Sequence, residues 1–293
     1  VEIHSKEKAI ARRPRLFGKR LYHHIYAWGN NRQAIFITDE HYAKYLDFLE
    51  KFSRDYRVDI IAYALMQTHV HLFVYDILGK VSQFMNSLHG EYAQYFNSAM
   101  GRVGHLFGER FNNKVVQANV YGLWLSRYIH RQALEAGLVI DPRAYPWSSY
   151  RAYVGEVPQG FVRPSVILEQ FGVGKEGIAR YDSFVNSSER GPLDWDGRSA
   201  TVVGDEGFVK EVLDMEITEQ QQDSNDVEIR KLVNVRFGGR HDLISSAHGM
   251  SEKRLRRKII RYLIKECGYR PSKIAQLFHI SRSAVQRALN AEM

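Results

Sequence analysis

Ala64-Leu65-Met66-Gln67-Thr68-His69-Val70-His71-Leu72-Phe73-Val74 is the stretch whose reading decides the fold. Side chains alternate faces along a strand, so His69 and His71 point one way and Val70 the other. Val58 to Leu65 reads as one strand and His69 to Val74 as the next. Gln67-Thr68 is a connection short enough to make the two an antiparallel hairpin. Two imidazoles on one buried face are costly without partners; they want a metal, a carboxylate or water. Spacing alone leaves both a metal site and a satisfied histidine pair open. A zinc-protease site is excluded, because no His-Glu-x-x-His helix is present.

Outward from the hairpin, Leu21 to Ala27 reads as a first strand ended by Gly29-Asn30-Asn31. Asp39 is expected to cap a helix whose buried face is Tyr42, Tyr45, Leu46, Leu49 and Phe52. A second helix carries Val81, Phe84, Met85, Leu88, Tyr92, Tyr95 and Phe96 and stops at Gly101. Asn112 to Val120 reads as a fourth strand, and Tyr121 to Ala136 as a third helix ending at Gly137. The order β-α-β-β-α-β, then a helix, predicts an α+β fold: a ferredoxin-like antiparallel sheet with packed helices. Asp141 to Tyr153, rich in aromatics, reads as a packed tail closing this domain.

The third helix adds chemistry. Tyr128 and Gln132 lie four apart on one face. Tyr128 continues the stripe Tyr121, Trp124, Leu125, the ordinary setting of a core aromatic. Gln132 continues the same stripe with an amide, and a polar group on a buried face asks for a partner. Its carbonyl oxygen is a hard ligand. With two neutral imidazoles it would leave positions on a Mg²⁺ or Mn²⁺ ion for phosphate oxygens, with Tyr128 one turn away.

The remainder bounds the class. The chain has 293 residues, 44% hydrophobic and 25% charged, enough for two or three domains. No apolar run approaches a membrane span, and the basic N-terminus (residues 1–19) has no apolar core. The expectation is a soluble, cytoplasmic, nucleoid-associated protein with no membrane partner. A single cysteine, Cys267, excludes a disulfide framework. Arg240 to Met293 holds 12 Lys and Arg against 4 Asp and Glu, a net +8, which equals the formal charge of the whole chain. A basic block on a neutral body suggests an appended anion-binding module. Within it, Pro271 to Phe278 reads as a short amphipathic helix and His279-Ile280 as a tight turn. Ser281 is an N-cap for a helix from Arg282 to Asn290. That is a helix-turn-helix, which would present Arg282, Ser283, Gln286 and Arg287 to DNA. Glu216 to Asp226, polar and glutamine-rich, reads as a linker. Expected domains are 1–155, then a helical extension and linker over 156–226, then an all-α domain over 227–293.

His69-Val70-His71 is similar to the HUH motif (histidine, hydrophobic residue, histidine) of single-strand transposases and rolling-circle nucleases. More of the chain resembles the REP-associated tyrosine transposases: Leu65 to Leu72, Gly104-His105-Leu106-Phe107 with Arg110-Phe111, Arg127-Tyr128-Ile129-His130, Ala136-Gly137-Leu138-Val139, and Tyr145-Pro146-Trp147-Ser148-Ser149-Tyr150. The resemblance spans roughly residues 14–155, and residues 160–215 are similar to an extension of longer members. The family commonly has Pro-Asn where this chain has Gln67-Thr68, and Asn-Pro where it has Gln132-Ala133. Residues 227–293 resemble, more loosely, the DNA-binding domain of the replication initiator DnaA.

This resemblance implies an HUH nuclease domain in which His69, His71 and Gln132 hold Mg²⁺ or Mn²⁺ and Tyr128 is the nucleophile. It would form a 5′-phosphotyrosine link on single-stranded, hairpin-forming DNA of the REP type, in DNA transposition or recombination. Arg110, Arg127 and Arg131 are candidate phosphate contacts, and His130 a candidate helper. Duplex DNA would bind through the C-terminal domain, and the enzyme would act as a monomer or a homodimer. The competing reading is a catalytically inactive regulator that binds DNA through the helix-turn-helix.

Overall fold

The computed structural model describes residues 16–189, 191 and 201–290, with backbone alone for 215–228. Most of the basic N-terminal stretch, residues 1–15, lies outside the described residues. By contact clustering the chain forms two compact units, Val1–Glu216 and Ile217–Met293.

In the first unit, β1 (Leu21–Trp28), α1 (Asp39–Tyr56), β2 (Val58–Met66), β3 (His69–Asp76), α2 (Val81–Ala99) and β4 (Asn112–Val116) follow in the expected order. The strands line up as β2-β3-β1-β4, with β1 antiparallel to both neighbours and β2 antiparallel to β3. This is the ferredoxin-like arrangement, and the fold class is α+β as read. Gln67 and Thr68 form the two-residue turn of the β2–β3 hairpin. The sequence reading places the α1 cap one residue late. Thr38, extended, occupies the N-cap, and its N–H donates to His41 Nδ1 at 3.1 Å. Asp39 is instead in the first turn, where its charge complements the helix dipole. Asp76, buried, accepts from the N–H groups of Lys80 (2.9 Å) and Val81 (2.7 Å) and so starts α2.

β2 and β3 are buried along most of their length, on both faces. That requires cover on both sides. α1 and α2 pack together and serve one face; α3 (Val120–His130) crosses β2 and β3 on the other. A backbone break at Arg131 separates α3 from α4 (Gln132–Glu135), where the sequence reads one helix. The aromatic tail closes the β2 edge. Leu65 N–H donates to Trp147 O, Ser149 N–H to Tyr63 O, and the Tyr145 and Tyr153 hydroxyls to Leu65 O and Ile61 O. An open sheet edge is thereby blocked. α5 (Tyr150–Tyr153), α6 (Ser165–Leu168) and α7 (Gly174–Asn186) follow. β5 (Val202–Val203) adds a parallel strand beside β4, in a segment that reads as loop.

The segment read as a linker is helical. α8 runs unbroken over Glu206–Arg236, across the whole glutamine-rich stretch. Glu, Gln and Asp populate a helix readily when no apolar stripe is demanded. The second unit contains α9 (Asp242–Ser245), α10 (Met250–Lys265), α11 (Pro271–Leu277) and α12 (Arg282–Asn290) around a core of Ile229, Val233, Ile259, Leu263, Ile274, Phe278 and Val285. α11 and α12 occupy the two segments read as helices, with a turn between them. His279 takes φ 51° between α11 and α12, and Ser281 Oγ accepts from Ala284 N–H at 3.2 Å.

Candidate active site

Strand alternation puts His69, His71 and Phe73 of β3 on one face of the sheet. Register sets Trp28 opposite His69, Tyr26 opposite His71 and His24 opposite Phe73. The face is therefore an aromatic and imidazole surface, over which α3 passes. The His69 and His71 rings are 5.0 Å apart and nearly perpendicular. His69 stacks on Trp28 at 3.9 Å, and its Nδ1 is 3.1 Å from Thr68 Oγ1. The buried His71 has its Nδ1 3.1 Å from His24 Nε2. Burial, followed by the neighbouring His24 and His69, pushes the His71 pKa well below its ordinary value. Burial takes His24 down to about 3, with Lys114 adding to the shift. Both rings are neutral near pH 7.

Tyr128 meets this pair from above. Its ring lies edge-on to His71 at 5.4 Å and to His24 at 5.9 Å. Gln132, at the start of α4, sits one turn beyond and donates from Nε2 to Tyr128 O at 3.4 Å. That bond uses the nitrogen of the amide and leaves the carbonyl oxygen as the atom that could bind a metal. Among the described residues no group of three or more His, Cys, Asp and Glu converges as a metal site. A third protein ligand beside the two imidazoles would have to be of another type, and an amide qualifies. The imidazoles themselves suit a divalent ion. Each has Nδ1 engaged by a neighbour, which leaves Nε2 as the nitrogen that could bind a metal.

A family model described as "Transposase IS200 like" matches residues 18–132, from just before β1 to Gln132. Residues 18–132 are thus similar to IS200-like transposases. No curated protein matches the chain. Among solved structures the chain is similar to a REP-associated tyrosine transposase bound to a REP hairpin, with 18% identity, a TM-score of 0.44, and coverage of 53% of this chain and 92% of that one. It is also similar to a putative transposase from Deinococcus radiodurans, with 20% identity, a TM-score of 0.30, and coverage of 41% and 97%.

The arginines proposed for phosphate binding divide. In the transposase domain Arg110 is exposed. Arg127 is buried, donating to Phe184 O (2.8 Å) and Ser187 O (2.6 Å). Arg131 donates to Val185 O at 2.8 Å and pairs with Glu135 at 2.7 Å. These two guanidinium groups hold the C-terminal carbonyls of α7, where the helix dipole is negative. In this structure they fasten α3 to α7. His130 is likewise engaged elsewhere, with Tyr181 OH at 2.6 Å and Ser149 Oγ at 2.7 Å in the core. It faces away from the Tyr128 site, as residues two apart on a helix must.

In the second unit Arg282, Ser283, Gln286 and Arg287 all lie on the exposed side of α12, with Val285 and Ala288 buried. Sequence reasoning missed His24, Trp28 and Arg32 beside the transposase site. The signal for the first two was the alternation of β1 itself, once its register with His69 and His71 is known. No helix among the described residues is long and apolar enough to cross a membrane.

Proposed function

We propose that the transposase domain is a metal-dependent single-strand DNA endonuclease and strand transferase, with Tyr128 as nucleophile and His69, His71 and Gln132 as metal ligands. The observation that carries this reading is the edge-on approach of Tyr128 to His71 on a face holding two Nδ1-anchored histidines. Mg²⁺ or Mn²⁺, held by the two Nε2 atoms and Gln132 Oε1, would supply the positive charge that polarises a phosphate.

The chain's own residues do the rest. α3 holds the Tyr128 hydroxyl over the imidazole face. The phenol oxygen forms a bond to phosphorus, and the bond from phosphorus to the 3′ oxygen breaks. The leaving oxygen takes a proton and departs as a 3′-OH, while the 5′ side stays on Tyr128 as a phosphodiester. One phosphodiester replaces another, so the step needs no nucleotide and reverses to join strands. A phenol ordinarily titrates at about 10, so near neutrality its proton must leave during attack. Hairpin-forming single strands of the REP type are the proposed substrate. The exposed face of α12 adds duplex contacts through Arg282, Ser283, Gln286 and Arg287.

The test is incubation with end-labelled single-stranded hairpin DNA and Mg²⁺ or Mn²⁺, followed by denaturing electrophoresis. The expected result is a covalent adduct, lost in Tyr128→Phe and in chelator. An adduct that persists in Tyr128→Phe moves the nucleophile elsewhere. Duplex binding with no cleavage of any hairpin favours the inactive regulator.

A further inference from the structure

Beside the histidines lies a group that the proposed chemistry does not use. The Arg32 Cζ sits 3.6 Å from the centroid of the Trp28 ring. The His69 ring sits 3.9 Å from the same indole. Two planar groups this close to one ring cannot share a face, so they occupy opposite faces. Imidazole, indole and guanidinium thus form a three-layer stack, with Arg32 exposed at its outer end.

The stack rests on an anchored, strained loop. Asn31 (φ 51°) and Arg32 (φ 59°) are consecutive non-glycine residues in the left-handed region. Each is disfavoured relative to ordinary backbone. The loop is held at both ends. Gly29 N–H donates to Thr68 O, and Ile35 and Phe36 N–H groups to Gln67 O, so it is tied to the hairpin turn that precedes His69. Asn30 N–H and Gln33 Nε2 donate to Leu106 O, each near 2.9 Å or closer. Core packing does not account for strain at an exposed arginine, and strain of this kind clusters at ligand sites.

The charge is also unspent. Among the described residues no carboxylate forms an ion pair with Arg32, although Arg54, Arg131, Arg143, Arg151, Arg180 and Arg240 each have one. A guanidinium flat on an indole is fixed in orientation and keeps its N–H donors at the rim of the stack, where they match two oxygens of a phosphate.

We propose that Arg32 is a backbone-phosphate subsite for single-stranded DNA, taking a phosphodiester next to the one engaged over His69 and His71. The proposal rests on the reading of that face as the DNA-cleaving site. Trp28 sets the distance between the two phosphates, and the loop prevents Arg32 from swinging away.

The test is binding of a fluorescein-labelled oligothymidylate to the full chain by anisotropy, in EDTA, between about 50 and 200 mM salt. Arg32→Gln is expected to weaken binding about tenfold. It is also expected to flatten the slope of log K against log salt by about 0.7, the contribution of one single-strand phosphate. Arg32→Met, which keeps the packing on Trp28 without the charge, carries the same expectation if Arg32→Gln does not fold. Arg32→Lys should retain the slope while losing affinity, because a point charge replaces a fork. Unchanged affinity and slope in the neutral variants overturns the subsite. A fall in affinity with unchanged slope overturns it too, since Arg32 would then act only through packing. Cleavage is absent from this measurement, so failure of Tyr128 to form an adduct leaves it readable, and the reverse holds.

Discussion

His24 is where one side chain sets the chemistry of another. Its Nε2 lies 3.1 Å from His71 Nδ1, so it fixes which nitrogen of His71 faces the site. Such orienting partners typically change metal affinity by about 10–100-fold. His24→Ala is therefore expected to weaken Mn²⁺ binding by that order, measured by the free-ion electron paramagnetic resonance signal, with the fold intact by circular dichroism. Unchanged Mn²⁺ affinity would mean that His71 does not need this partner. On the opposite face of β1, His23 donates from Nδ1 to Asn113 Oδ1 at 2.9 Å in its neutral form. Burial takes its pKa down to about 4, against the opposing pull of Asp76. Its pKa is lowered by folding, so the unfolded chain binds the proton first. Stability is full above the unfolded value of about 6.5 and falls as pH drops from there toward about 4. The sensitivity is on the order of 3 kcal/mol. His23→Leu should flatten the dependence of Tm on pH across that window; an unchanged profile would assign the acid sensitivity to other groups.

At the scale of elements, the helix that carries Tyr128 is pinned by α7. Arg127 and Arg131 of α3 and its continuation grip Phe184 O, Val185 O and Ser187 O at the end of α7, and His130 reaches Tyr181. Arg127→Ala removes two charge-assisted bonds and should cost on the order of 3 kcal/mol. It should also reduce adduct formation, read by chemical denaturation and by denaturing gel. Full stability in this variant would mean that α7 does not hold α3. The hairpin and its two histidines were legible because alternation and a two-residue turn leave no other arrangement. The partners of those histidines were not. Leu21 to Trp28 shows His24 and Trp28 as strand residues, and only the antiparallel register with β3 brings them beside His71 and His69. The carbonyl partners of Arg127 and Arg131 were not legible either, because charge without structure reads as surface. Arg256 and Arg261 in the second unit likewise donate to backbone carbonyls, of Phe278 and Ala288.

At the scale of the whole molecule, each unit has its own core. The sheet core draws on residues up to Val203, a smaller cluster on Leu16, Leu21, Val115, Val202 and Val212, and the C-terminal core begins at Ile229. The glutamine-rich stretch between them is polar because it lacks an apolar stripe to bury, and that absence made it read as a linker although its backbone is helical. Separate cores predict separable binding. A chain ending at Glu216 should fold, keep single-strand binding, and lose duplex affinity together with much of its salt dependence. This is measured by electrophoretic shift of a duplex at several salt concentrations. Undiminished duplex binding would remove α12 from the DNA contact.

The central claim is that Tyr128 carries the DNA strand. Mass spectrometry of the protease-digested adduct tests it most directly, since cleavage at Arg127 and Arg131 isolates Tyr128-Ile129-His130-Arg131. The account predicts a 5′-phosphonucleotide on that peptide. A nucleotide on any other tyrosine, or a cleaved strand with no protein attached, would contradict it.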